Sequence, residues 1–138
     1  MDDHKFRHLV RVYLCGGFHS DWHERVIKGV KDIDEFFRFY NPKEDHELTY
    51  PEEYWPWDLL AIRKSDIVFA CFEKWMANKC GAGAISEFGY AVGQGKLVIL
   101  VNEIDHRYFT QLKGWPNVVY YEALEQGIRY LRQCRRLR

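Results

Sequence analysis

The sequence has no net charge, no long apolar run and no closely paired cysteines, and each absence argues against a class of protein. Twenty Lys and Arg residues balance twenty Asp and Glu residues, so the chain as a whole has no general attraction for nucleic acid or anionic lipid. No stretch approaches the roughly 20 apolar residues of a membrane-spanning helix, and the N-terminal segment lacks the basic start and apolar middle of a signal peptide. We therefore expect a cytoplasmic protein that has no membrane or nucleic-acid partner.

The four cysteines form no C-x-x-C pair, which argues against a redox or zinc motif of that type. They are Cys15, Cys71, Cys80 and Cys134. Two of them lie inside apolar strand patterns, where a reduced thiol packs as a small hydrophobic group. We expect free thiols, as is usual in the cytoplasm.

The chain is rich in hydrophobic residues (47%) and in aromatic residues (17%), which favours a packed core in a single domain spanning residues 1–138. Its most informative stretch is 65–102. Short apolar runs at 66–72 and 97–101 are typical of parallel strands covered on both faces. Between them, a glycine-rich loop leads into a predicted helix over 84–93. This is the pattern of a strand–helix–strand unit, and such sheets bind ligands beyond the carboxyl ends of their strands.

The remaining elements follow the same alternation. The sequence predicts further strands at 9–15, 36–40 and 117–121, and helices over 22–30, over 55–64 and from 122 to the C-terminus. A long loop is expected over residues 43–54, next to the site. Five strands that alternate with helices predict an α/β fold, namely a flavodoxin-like doubly wound parallel sheet of order 2-1-3-4-5. In that order the first and third strands are neighbours, and the crevice between their loops is the expected binding site.

Both loops at this crevice are rich in glycine, but neither completes a nucleotide-binding motif. The first lacks the third glycine of a dinucleotide fingerprint, and the second has no G-K-[ST] ending, so we expect no cofactor. A smaller ligand held by backbone amides is plausible. The predicted substrate-binding residues are Gly16, Gly17, Phe18 and His19 in the first loop and Gly81 and Gly83 in the second. His19 and His23 are four residues apart, but no further ligand completes a set, so we expect no metal site.

Two carboxylates are candidates for chemistry. Glu87 lies in the first two turns of the central predicted helix among small and aromatic residues, although a solvated helix surface remains an alternative. Asp58 follows the aromatic segment Tyr54–Trp57, whose rings could stack on a flat ligand. Its alternative is to stabilise a helix N-terminus through the dipole. Asp66 opens the third strand at the amino end, where a hydrogen bond to the preceding turn is expected.

Three segments together resemble the nucleoside 2-deoxyribosyltransferase family, in particular its short branch. They are Tyr-Leu-Cys-Gly-Gly at 13–17, W-D-L-L-A-I-R-K-S-D-I-V-F-A at 57–70 and G-A-G-A-I-S-E-F-G-Y-A-V-G-Q-G-K-L-V-I-L-V at 81–101. The resemblance covers roughly residues 9–102. Its most specific features are the E-x-G-x-A helix and an aspartate, Asp58, placed eight residues before Asp66.

The resemblance implies roles for individual residues. Glu87 would be the nucleophile of an N-glycosidic enzyme, Asp58 would contact the leaving base, and Tyr13 would lie near the nucleophile. Gly81 departs from the Asp or Ser often found in the family six residues before the nucleophile. The substrate is then a nucleoside or nucleotide, and transfer and hydrolysis both remain open. A nucleotide-sensing module without turnover is the alternative.

The family also implies a homodimer or higher homo-oligomer. The aromatic segment after the fourth strand is the candidate contact, with packing inside its own subunit as the alternative. Its aromatic residues are Tyr108, Phe109 and Trp115.

Overall fold

The computed structural model describes residues 9–17, 20–73, 82–103 and 107–137. Its centre is a sheet of five parallel strands: β1 Val10–Gly16, β2 Phe37–Tyr40, β3 Ile67–Phe72, β4 Leu97–Asn102 and β5 Val118–Tyr121. Their order is β2-β1-β3-β4-β5, and every neighbouring pair is parallel. The predicted flavodoxin-like doubly wound fold is therefore confirmed.

Helices cover both faces of the sheet. They are α1 Trp22–Gly29, α2 Pro51–Lys64, α3 Ala82–Gly93, α4 Arg107–Thr110 and α5 Leu124–Gln133. Because side chains alternate along a strand, each strand contributes to two cores. Val12 and Leu14 of β1 join the core under α1 and α5, whereas Tyr13 and Cys15 join the core under α2 and α3. Tyr13 therefore faces the layer of helices that carries both candidate carboxylates.

The predicted loop over 43–54 is too long, because α2 begins at Pro51 rather than at Trp55. Proline is favoured in the first turn of a helix, where its missing N–H would have had no partner. Glu52 and Glu53 in the same turn interact favourably with the helix dipole. Pro56 inside the helix leaves a backbone carbonyl without its donor, but residues 51–53 and Pro56 are exposed, so water can satisfy that carbonyl.

The other predicted boundaries agree with the structure within two residues, except at the end of α5. That helix stops at Gln133 and continues as a 3-10 turn, Cys134–Arg136. At its start the Ala123 backbone N–H donates to Oε1 of Gln126 at 3.1 Å. A second 3-10 segment, Lys31–Phe36, leads into β2.

Asp66 and the cysteines have structural roles. The Asp66 carboxylate accepts a hydrogen bond from the Arg11 backbone N–H at 2.9 Å, so it joins the amino ends of β1 and β3 instead of binding the preceding turn. Three cysteines of the described residues are buried and form no disulfide: Cys15, Cys71 and Cys134. Cys80 lies outside the described residues. No helix in the described part of the chain has the length and apolar character needed to span a membrane.

The aromatic segment after β4 packs at least partly inside its own subunit. Phe109 is only 1% exposed and stacks on Phe72 with ring centroids 4.1 Å apart. For Phe109 the alternative of packing inside its own subunit therefore applies, and a subunit contact through the rest of the segment stays a prediction. Trp115 remains 50% exposed, and the side chain of Tyr108 lies outside what the structure describes.

Candidate active site

The candidate site lies where α3 crosses β1. The buried Tyr13 donates its hydroxyl hydrogen to Oε1 of Glu87, and the Cys15 thiol donates to the Ala84 carbonyl at 3.4 Å. Tyr13 and Cys15 point to the same face because they are two residues apart on a strand. Ala84 and Glu87 share a helix face because they are three residues apart. These two hydrogen bonds therefore fix the position of α3 on β1 and hold the Glu87 side chain against the sheet.

Glu87 is held at a pKa suited to a change of charge near neutral pH. Burial raises the pKa of its carboxyl group to about 7, the hydrogen bond from Tyr13 works in the opposite direction, and the negative charge of Asp58 adds to the rise. The pKa of Tyr13 is raised far above its ordinary value, first by burial and then by the charge of Glu87. Tyr13 therefore stays protonated and acts as a hydrogen-bond donor to the ionised Glu87.

Asp58, on α2, is the second carboxylate of the site; it is 5% exposed, whereas Glu87 is half-buried. Burial raises the pKa of its carboxyl group, while the imidazole of His46 lowers it. His46 Nε2 lies 3.5 Å from Asp58 Oδ1. Since the charge of Asp58 also raises the pKa values of Glu87 and Tyr13, the structure brings these three predicted residues into one electrostatic unit.

Aromatic side chains of α2 lie beside His46 and beside the first turn of α3. Trp57 meets the ring of His46 edge-on, with centroids 4.7 Å apart. A Cβ atom added to Gly83 would lie 3.7 Å from Cζ2 of Trp55, so the first turn of α3 is next to the aromatic segment. Both tryptophans are partly exposed, so each ring offers apolar surface that a planar group could contact.

Gly16 is the last residue of β1 and Gly17 follows it, so both lie at the carboxyl end of the sheet, as predicted. A Cβ atom at Gly16 would come within 2.5 Å of the Cys71 carbonyl oxygen and 2.8 Å of Trp22 Cζ2, so a larger residue does not fit. The Gly17 carbonyl accepts a hydrogen bond from Trp22 Nε1 at 2.9 Å. Gly16 therefore has a packing role, Gly17 binds Trp22 through its backbone carbonyl, and the contact of both glycines with substrate stays a prediction. The predicted residues Phe18, His19 and Gly81 lie outside the described residues.

Sequence analysis assigned no role to three polar side chains near the site. His46 lies in the loop before α2 and contacts Asp58. Glu73 directly follows β3, is 8% exposed and accepts a hydrogen bond from the Ser20 hydroxyl. Asn102 ends β4, is 1% exposed and donates to the Tyr120 hydroxyl oxygen at 2.9 Å.

The positions of Glu73 and Asn102 in the sequence could have pointed to the site. A polar residue at the end of a buried strand lies at the ligand-binding edge of a parallel sheet. His46 offered no comparable signal, since its contact depends on where α2 begins. Among the described residues, no group of three or more His, Cys, Asp or Glu side chains could hold a metal ion.

The solved structures that are similar to this chain include an N-glycosidase and a deoxyribosyltransferase. One is a CMP N-glycosidase from Clostridium botulinum, with a TM-score of 0.58 and 21% identity over 88% of this chain and 97% of that chain. The other is a 2-desoxiribosyltransferase from Leishmania mexicana, with a TM-score of 0.65 and 16% identity over 89% of this chain and 97% of that chain. At these identities the similarity concerns the fold.

The comparison with curated proteins finds no match. The family description "Nucleoside 2-deoxyribosyltransferase like" matches residues 9–104, which include β1 to β4 and both candidate carboxylates. The chain therefore belongs to the nucleoside 2-deoxyribosyltransferase-like family.

Proposed function

We propose that this protein is an enzyme that cleaves the N-glycosidic bond of a nucleoside or nucleotide and passes the (2-deoxy)ribosyl group to another base or to water. The observation that carries the proposal is the pairing of Glu87 with the buried Tyr13 hydroxyl, next to Asp58. Family membership and the activities named for the two similar structures support the same reaction class.

Glu87 serves as the nucleophile. Positive charge develops on the sugar ring as the bond between C1′ and the base nitrogen breaks, and a carboxylate beside C1′ stabilises that charge. The bonding electron pair leaves with the base, and a Glu87 carboxylate oxygen forms a covalent bond to C1′. A nitrogen of a second base or a water oxygen then attacks C1′, and Glu87 is released as a carboxylate.

Asp58 supplies the proton that the departing base needs. Burial raises the pKa of its carboxyl group, which favours the protonated acid, and the positive charge that develops on the sugar favours an ionised Glu87 in the substrate complex. Two interacting carboxylates in different surroundings are a common way to divide the acid and nucleophile roles. After the first half-reaction Asp58 is ionised, and it takes a proton from the incoming base or water.

Trp55 and Trp57 provide the apolar surface for the base. Stacking of a nucleobase on an aromatic side chain is worth roughly 1–3 kcal/mol. Such contacts accept purines and pyrimidines alike, because every base has a flat face. The rings of α2 thus support a nucleobase-containing substrate.

The test is chromatography of a panel of nucleosides and 5′-nucleotides incubated with the protein, with and without a second free base. Exchange of bases identifies a transferase, and free base alone identifies a hydrolase. Glu87→Gln keeps the side-chain shape but removes the nucleophile, so turnover should fall by about 1,000-fold or more. Glu35→Gln, at an exposed glutamate before β2, is the matched control and should keep full turnover.

Full turnover by the Glu87→Gln variant would refute the assigned nucleophile. Tight binding of a nucleotide with no product over long incubation would support the alternative, a nucleotide-sensing module. The glycine at position 81, where relatives often carry Asp or Ser, is the feature that favours this alternative.

A further inference from the structure

His46 lies in a loop that its own hydrogen bonds hold in place. The Asn41 backbone N–H donates to the Asp45 carboxylate at 2.8 Å, and the Asn41 carbonyl accepts from the Asp45 backbone N–H at 2.8 Å. The Leu48 backbone N–H donates to Nδ1 of His46 at 3.1 Å. Because Nδ1 accepts a hydrogen bond, the proton of the neutral ring is on Nε2.

That Nε2 atom faces Asp58. His46 Nε2 and Asp58 Oδ1 are 3.5 Å apart, and both atoms are buried with no hydrogen-bond partner within the described residues. A buried polar atom without a partner is costly, and a displacement of about 0.5 Å would bring this pair to normal hydrogen-bond distance. Catalytic hydrogen bonds are often long in a free enzyme and shorten when substrate binds.

The imidazole ring is also restrained from the side. The Trp57 ring meets the His46 ring at an angle of 68° with centroids 4.7 Å apart, and the His46 side chain is 13% exposed. Trp57 is the neighbour of Asp58 on α2, so one helix turn fixes both the ring and the carboxylate that the ring faces. The contact between His46 and Asp58 is therefore built from three separate restraints.

We propose that His46 is a positioning residue for Asp58: its Nε2–H donates to Oδ1 in the substrate complex, which leaves the other carboxyl oxygen to carry the proton for the leaving base. This inference rests on the proposed function. Among the described residues, Asp58 also interacts electrostatically with Glu87 and Tyr13, and the Cys15 thiol acts in turn on Tyr13. Since His46 lowers the pKa of Asp58, it also opposes the effect of burial and helps the acid to release its proton.

The test compares two substitutions that separate the ring nitrogens. The amide nitrogen of Gln can take the place of Nε2, whereas the shorter Asn reaches only the place of Nδ1. We expect His46→Asn to lower kcat about 10- to 100-fold with little change in KM, as for one lost hydrogen bond to a charged group. His46→Gln should recover most of that loss. In an Asp58→Asn background, His46→Asn should have little further effect.

A purely structural role for His46 would give equal losses in both variants, and a direct contact with the base would raise KM alone. Either result would overturn the proposal, as would a full loss in the Asp58→Asn background. An NMR titration of the Asp58 carboxyl carbon needs no turnover, so it separates this proposal from the proposed function. His46→Asn should raise the pKa of Asp58, and an unchanged titration would overturn the proposal even if no substrate is cleaved.

Discussion

At the scale of single residues, the Tyr13 hydroxyl governs the charge of Glu87. The hydrogen bond from Tyr13 lowers the pKa of Glu87, which burial has raised to about 7. Its loss in Tyr13→Phe therefore raises that pKa, so a higher pH is needed to ionise the nucleophile. We expect the acidic limb of the kcat/KM profile to move to higher pH in this variant, with activity at neutral pH lower by about tenfold or more.

The measurement is kcat/KM across the neutral pH range for both proteins. Tyr121→Phe is the control, because Tyr121 packs against the core on the opposite face of the sheet, and its acidic limb should match that of the wild type. A limb that stays in place or moves to lower pH in Tyr13→Phe would show that the hydroxyl does not stabilise the ionised Glu87.

At the scale of elements, α5 lies so close to the sheet that one of its positions admits only glycine. A Cβ atom at Gly127 would lie 2.6 Å from Val101 Cγ2 and 3.0 Å from Phe69 Cζ. Gly127→Ala should therefore lower the free energy of unfolding by about 1–3 kcal/mol, because the helix must move away from β3 and β4.

The matched control lies inside α3. A Cβ atom at Gly89 would meet no atom within 4 Å, so Gly89→Ala should raise the free energy of unfolding by up to about 1 kcal/mol through helix propensity alone. Urea denaturation of the three proteins measures both changes. Equal effects of the two substitutions would contradict the close packing of α5.

At the scale of the whole molecule, the family leads us to expect a homodimer. Leu60 on α2 is 48% exposed and Trp115 is 50% exposed, and aromatic or aliphatic residues of this kind are typical of interface cores. Light scattering should give about twice the 16.6 kDa of one chain, and turnover per chain should fall when dilution dissociates the dimer. A monomer that keeps full turnover at every concentration would contradict this prediction.

The sequence by itself determined the strand order of the sheet and the identity of the two candidate carboxylates. Strand and helix patterns are local properties of the chain, and strands buried on both faces leave a clear run of apolar residues. Five such runs alternating with helices restrict the sheet to a few possible topologies. The resemblance to a family then identified Glu87 and Asp58, on two of the helices, as the candidate catalytic residues.

Only the tertiary structure decided which side chains meet. Tyr13 contacts Glu87, which is 74 residues further along the chain, because α3 packs on β1 in one particular position. His46 meets Asp58 because α2 begins at Pro51 and the preceding loop folds back on itself. Such contacts depend on how elements pack, and local sequence patterns carry no information about that packing. The pKa values of the two carboxyl groups depend on burial and on those contacts, so they too are decided by the tertiary structure.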